Sequence, residues 1–406
     1  MKNSEKYWVV ADQALFSGLS FLVTIWIARN TSTASFGMYS AWVLGIYLII
    51  SAIGAWTIQP FQIRYQENQG EAGYLSFVFW FQGLWTGIAL VVMGCLAWLT
   101  ELVNFDHMVI YATGFVFNDF FRKVLLAMNR IRLAFMINAA TALISVTALF
   151  ILEISHTFSL EHALQVLSFA YGFVFLLALW HLKPFQWEGL SFQSHLKYHK
   201  DQGKWFFMTA VSQWWAGNLY VVASGLVLGK AALGALRLGQ SLFGILNVLL
   251  QAFENYALPQ TAREMKINVS QGVSYIKNLS IKAAWLFIPM LLLIFVFAES
   301  LLILAGGDQY AGYGQVLQGL CILYVFIYLS QPIRCIIRAL EWNQYFFKGY
   351  ILTLVFALIF SRQLLIQFGL NGVLTGLIIS QIILIGYWSL NLYQKNKEVW
   401  KSFISF

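Results

Sequence analysis

Residues Lys183–Lys204 read KPFQWEGLSFQSHLKYHKDQGK, a polar interval near the midpoint of an otherwise oily chain of 406 residues. On either side of it lie six apolar segments, each of about 20 residues or more, enough to cross roughly 30 Å of hydrocarbon. An even number of crossings returns a chain to the side it left, so the two halves share one orientation. That is the plan of parallel-repeat membrane carriers, whose site lies near the midplane where the repeats meet.

Composition sets the class. Charged residues make up 10% of the chain and hydrophobic ones 60%, whereas a soluble domain carries about 25% charged residues. A water-facing surface cannot be built from that supply, so an all-α polytopic membrane protein is expected. Apolar runs such as Met290–Ala298 show no alternation, which argues against the strands of a membrane barrel. Met1–Lys6 is short and charged, and the run after it is long enough to span, so no cleaved signal is expected. The expected spans of the first half are Tyr7–Arg29, Phe36–Gln59, Gly73–Leu99, His107–Asn129, Leu133–Leu152 and Glu161–His181. Those of the second are Trp205–Leu228, Ala231–Leu258, Ile281–Leu304, Gly312–Leu340, Tyr345–Ile366 and Asn371–Tyr393.

Twelve transmembrane helices in two six-helix bundles around a central cavity follow, related by a parallel pseudo-two-fold repeat. The expected domains are 1–182, an amphipathic linker at 183–204, a second bundle at 205–394 and a tail at 395–406. Faint internal matches accompany the repeat: Trp8 with Trp205, Phe36-Gly37 with Leu233-Gly234, Arg64 with Arg263, and Phe121-Arg122 with Ile333-Arg334. All Lys and Arg except Arg29, Lys230, Arg237 and Arg362 fall on every second connection. By the positive-inside rule both termini are expected to be cytoplasmic, and the inner (plasma) membrane is the expected location. The net charge of +8 is then an orientation signal, and nucleic acid is not an expected partner.

Within this frame, two short patterns carry a resemblance. Ala28-Arg29 closes the first span and Phe36-Gly37-Met38-Tyr39 opens the second; further on, Pro289 precedes Leu304-Ala305-Gly306-Gly307-Asp308-Gln309-Tyr310-Ala311. The chain resembles the polysaccharide biosynthesis (O-antigen flippase) family, part of a larger group that holds lipid II flippases and multidrug and toxin extruders. Thr31–Ser35 departs from it, standing where a glycine-containing linker is usual. The resemblance implies a flippase that carries a polyprenyl-pyrophosphate-linked oligosaccharide by alternating access, with no enzymatic step and no cofactor. The implied partners are that lipid-linked sugar, membrane lipids and, around a monomer, the polysaccharide polymerase machinery. A cation-coupled multidrug exporter of the same group is the alternative, and a membrane-embedded glycosyltransferase or polymerase a more distant one. No Gly-x-x-x-x-Gly-Lys loop is present for ATP hydrolysis.

The charges inside the spans mark the candidate site, since a charge at the bilayer centre costs about 2.5–3.5 kcal/mol on insertion scales. Arg237 lies roughly two turns into the eighth span. It reads either as a cavity cation for a phosphate, which guanidinium binds bidentately, or as half of a structural ion pair. The resemblance implies cavity arginines on the first and eighth helices, for which Arg29 and Arg237 are the nearest matches, Arg29 reading also as an interfacial anchor. Arg122, Arg334 and Arg338 enter corresponding spans and read as a ring at an inner mouth, or as plain anchors. Asp12 has no local partner in the sequence and, with Asp119, is a candidate for ion coupling; Asp119 reads otherwise as pairing with Arg122 one turn on. Glu254 and Glu299 read as interfacial. His195 and His199 share i,i+4 spacing, but no third ligand accompanies them, so a solvated basic helix is expected and no metal. The aromatics, Trp214-Trp215 included, read first as packing or lipid-facing groups. Cys95, Cys321 and Cys335 are expected to be ordinary buried thiols.

Overall fold

A computed structural model describes residues 3–67, 73–99, 105–185 and 192–404. Among them the secondary structure is helical throughout, with no strand. Hydrocarbon offers no partner to backbone N–H and C=O groups, so a spanning segment must satisfy them internally, as an α-helix does. Contacts divide the chain into two compact units, Met1–Trp214 and Trp215–Phe406.

The first unit contains α1 (Asn3–Asn30), α2 (Thr33–Glu67), α3 (Tyr74–Leu99), α4 (Phe105–Ala127), α5 (Ile131–Ile154), α6 (Leu160–Leu182) and the first part of α7 (Phe192–Val227). α4 lies among α2, α5 and α6, while α1 packs on α5. The core is strongly aromatic, with Phe77, Phe79, Phe117, Phe120 and Phe121 buried together. α6 starts at Ser159, whose side chain accepts from the His162 N–H, satisfying one of the donors a helix start leaves without an intrahelical partner.

The second unit holds the rest of α7, α8 (Lys230–Leu242), α9 (Gly244–Ile267), α10 (Val269–Val296), α11 (Ala298–Gly306), a 3₁₀ turn (Asp308–Tyr310), α12 (Gly314–Ala339), α13 (Asn343–Lys395) and α14 (Lys397–Ile404). α12 is the hub, packing on α9, α10 and α13, and α14 folds back against α10. The helix assigned to α13 is really two. Gly369 interrupts it with φ 58° and ψ −134°, a backbone conformation in the left-handed half of the map that glycine adopts without a Cβ clash. Three residues later the chain doubles back so tightly that a Cβ on Gly372 would overlap the Leu364 carbonyl oxygen, and one on Gly376 the Tyr220 ring. The small-xxx-small spacing there serves close packing within one unit.

Among the described residues eight helices are long and apolar enough to cross a membrane, namely α1, α2, α3, α5, α6, α10, α12 and α13, and α8 with α9 forms a further candidate bent by 47°. The chain is a multi-pass membrane protein. The structure departs from the expected boundaries in three places. The latter part of the polar interval, from Phe192, is not a separate element but the start of α7, and the unit boundary falls at Trp214 and Trp215 inside that helix; residues 186–191 lie outside the described ones. The connection expected between Leu258 and Ile281 is itself helical, because α9 runs on to Ile267 and α10 begins at Val269, capped by Asn268. The span expected at Ala231–Leu258 breaks at Phe243. Of the thiols, Cys321 and Cys335 are buried but Cys95 is exposed.

Candidate functional site

In the first unit the charges meet in a dry network. Asp12 is fully buried on α1. Its Oδ2 accepts from Arg122 Nε of α4 at 2.7 Å, and its Oδ1 accepts from Asn138 Nδ2 of α5. A second donor of the same guanidinium, Nη2, goes to Gln13 Oε1, and the group lies 4.7 Å from the centroid of the Phe16 ring. Asp12, which no neighbour in sequence could satisfy, is thus held by a residue 110 positions away. A buried ion needs such a partner and further hydrogen bonds to offset its lost hydration. Asp119 does not pair with Arg122 as expected; it binds Lys123 at 2.6 Å, one residue further along α4. The i,i+4 spacing brings those side chains together on one face, while Arg122 turns toward α1.

Beside this network lies a cavity of about 520 Å³, lined by one face of α2 from Tyr47 to Gln62, by Lys123, and by Ala210, Gln213 and Trp214 of α7. Its glutamines do not stand out in the sequence, where charges within spans are the visible signal and amides are not, and Lys123 reads there only as one of the positive charges that set orientation.

The latter part of the polar interval also docks on this unit. His195 and His199 are both fully buried, which overturns the expected solvated helix for this face. His199 Nδ1 sits 3.1 Å from the Trp56 carbonyl oxygen. A carbonyl can only accept, so Nδ1 carries the hydrogen and Nε2 accepts from the Tyr74 hydroxyl at 2.8 Å. His195 stacks on the Tyr74 ring at 4.5 Å, and the Arg64 guanidinium lies over Tyr74 and Tyr198. Burial pushes the His199 imidazole down from 6.5 to about 4; the hydrogen bond to the Trp56 carbonyl opposes this in part, and the neighbouring His195 and Arg64 act in the same direction as burial. Among the described residues no group of three or more metal-ligating side chains exists.

The second unit arranges its charges otherwise. Glu254 on α9 accepts from Arg338 Nη1 and lies 3.4 Å from Arg334 Nε, both on α12. The two guanidiniums also flank the Phe346 ring. Glu254 is therefore the anchor of this cluster and not merely an interfacial acid. Glu299 likewise bonds inward. Its carboxylate accepts from the backbone N–H groups of Gly312 and Gly314, pinning the end of the glycine-rich turn and the start of α12 to α11.

Arg237 is half-buried on α8 and its Nη1 donates to Gln240 Oε1 at 3.0 Å. It lines a cavity of about 280 Å³ together with Asn218, Gln240, Asn247 and Tyr324, the last two joined by a 2.8 Å hydrogen bond. Arg29 lies exposed in the last turn of α1 and borders neither cavity. The structure thus gathers Asp12 with Arg122, and Arg334 with Arg338, but it does not bring Arg29 to either group.

The model of a family described as polysaccharide biosynthesis protein matches residues 26–314. A comparison with curated protein sequences finds no match. The fold is similar to that of the lipid II flippase MurJ in an inward closed conformation, with a TM-score of 0.76 at 12% identity over 98% of this chain and 90% of that one. It is similar too to an inward-facing multidrug resistance MATE family transporter of the MOP superfamily, with a TM-score of 0.72 at 14% identity over 95% and 96% of the two chains. A MOP superfamily transporter from Pyrococcus furiosus matches at a TM-score of 0.61 and 14% identity, over 96% and 95%. At these identities the likeness concerns the fold.

Proposed function

The chain belongs to the polysaccharide biosynthesis protein family, and from that premise we propose that it flips a polyprenyl-pyrophosphate-linked oligosaccharide across the inner membrane by alternating access. The observation that carries the reading is Arg237, a guanidinium in a polar cavity of a membrane protein. Such a group offers paired donors to a phosphate, and the surrounding amides stand in for the water that a headgroup leaves behind. The reading comes with twelve crossings in two repeats and cytoplasmic termini. It counts α4 and the part of α7 from Trp205 on as spans despite their charged residues, α8 with α9 as one bent span, and α13 as two spans joined at Gly369.

In this reading Arg237 contacts the pyrophosphate and Arg29 assists at the membrane boundary. Arg122, Arg334 and Arg338 are drawn toward the headgroup only when their carboxylate partners release them. Asp12, with Asp119 as the second acid, is the group through which a cation or proton drives the cycle. The test is translocation of the lipid-linked sugar in cells. Arg237→Ala is expected to slow it at least roughly tenfold, as expected for loss of a charged contact. Wild-type rates in both Arg237→Ala and Arg29→Ala would remove the cationic-cavity mechanism, and efflux of cationic dyes in place of sugar transport would favour a drug exporter.

A further inference from the structure

We infer that the cavity of the first unit is a recognition site for neutral carbohydrate, distinct in chemistry from the Arg237 cavity. This deepens the flippase reading and rests on it. The walls that matter are Ser51, Gln59, Gln62, Lys123, Gln213 and Trp214. A primary amide presents an acceptor and two donors, which is what a ring of hydroxyl groups, each both donor and acceptor, can use in any orientation. Trp214 supplies a flat apolar face of the kind on which a pyranose C–H face can lie.

Charge narrows the ligand further. Among the described residues no acidic side chain lines the cavity, so a cation finds no counter-charge there. The cation that does line it, Lys123, is held at 2.6 Å by Asp119, which cancels the field that an anion would need. A polyhydroxylated, uncharged ligand fits what is left. The volume of about 520 Å³ lies within the roughly 300–1,000 Å³ of small-molecule sites and exceeds that of the Arg237 cavity, about 280 Å³. The glutamines and Trp214 lie on α2 and α7, and Gly54 keeps the wall beneath them open: a Cβ there would come within 3.9 Å of Lys123 Nζ, so a larger side chain would project into the space.

The experiment uses the whole chain in lipid nanodiscs, titrated calorimetrically with chitotriose and maltotriose as neutral trisaccharides and with inorganic pyrophosphate as the anionic control. At least one trisaccharide is expected to bind saturably. Gln62→Ala with Gln213→Ala is expected to weaken that binding by roughly tenfold or more, two lost hydrogen bonds' worth. Gly54→Leu, checked for an unchanged melting temperature, is expected to abolish it, and Arg237→Ala to leave it intact. Wild-type protein that binds neither trisaccharide overturns the assignment, as does unchanged binding in the double variant or in Gly54→Leu. Translocation of a lipid-linked oligosaccharide in cells is read in parallel. Transport without sugar binding in this cavity sinks the site and spares the flippase, whereas sugar binding without transport does the reverse.

Discussion

The two units each bury a carboxylate against arginine, and they do so with different charge balances. In the first, Asp12 has no exposed side-chain surface and Arg122 only 8%; one acid meets one base, and two amides, Gln13 and Asn138, take up the remaining hydrogen bonds. In the second, Glu254 is 12% exposed and faces two guanidiniums that are 30% and 39% exposed. The difference teaches how depth governs charge. A surplus charge out of reach of water costs several kcal/mol, so the dry site is neutral and fully paired. The wetter site tolerates a surplus of one positive charge because solvent screens it.

The largest effect is expected from Arg122→Leu, which leaves Asp12 buried without its ion partner and should lower stability by about 3–5 kcal/mol. Thermal unfolding in detergent measures it, and pairing the change with Asp12→Leu should restore a large part of the loss. If the single variant melts like the wild type, the dry and wet sites do not differ in the way described.

A second expectation concerns His199, a neutral imidazole sealed within the first unit. Its folded-state value of about 4 lies below the ordinary 6.5. Its contribution is thus complete above about pH 6.5 and is lost as pH falls through 6.5 toward 4, because the undocked imidazole takes up a proton first. The full loss amounts to about 3 kcal/mol and should appear as weaker amide protection, each rate taken relative to its intrinsic value at that pH, in the first turns of α7 at pH 5 than at pH 8. His199→Gln, which keeps a donor and an acceptor, should flatten that pH dependence; equal protection at both pH values in the wild type would contradict the docking.

In the second unit Glu254→Gln should cost less, roughly 1–2 kcal/mol, and the cost should fall with added salt, as it does for charges that water reaches. A loss as large as that of Arg122→Leu would erase the contrast. The smallest effect is expected for Glu299→Gln, about 1 kcal/mol, seen as earlier proteolysis in the turn from Gly307 to Tyr313. An amide oxygen can still accept from one of the two glycine N–H groups, so only part of the anchor is lost.

Much of the architecture was legible because hydropathy is a sum over neighbours in the chain. The break near residue 369 was expected between Ile366 and Asn371, and Gly369 makes it. Boundaries failed where polar and apolar residues continue one helix, as in Phe192–Val227, since backbone hydrogen bonding does not stop at a change in polarity. The charged candidates were visible as charges within spans. Their partners were not, because Asp12 and Arg122, or Glu254 and Arg338, are brought together by helix rotation and packing. The amides Gln13, Asn138, Gln62 and Gln213 carry no charge to attract notice, although an amide within an apolar run is itself a signal.

By itself the sequence determined a helical, multi-pass membrane protein with a polar interval at its centre and few, sharply placed charges, because lipid imposes its demands residue by residue along the chain. Only the tertiary structure decided which charges cancel, that His195 and His199 are sealed under Tyr74, and which faces of α2 and α8 border a cavity. Those outcomes depend on how far each helix is turned about its axis, and that rotation is set by the packing of side chains from helices remote in sequence.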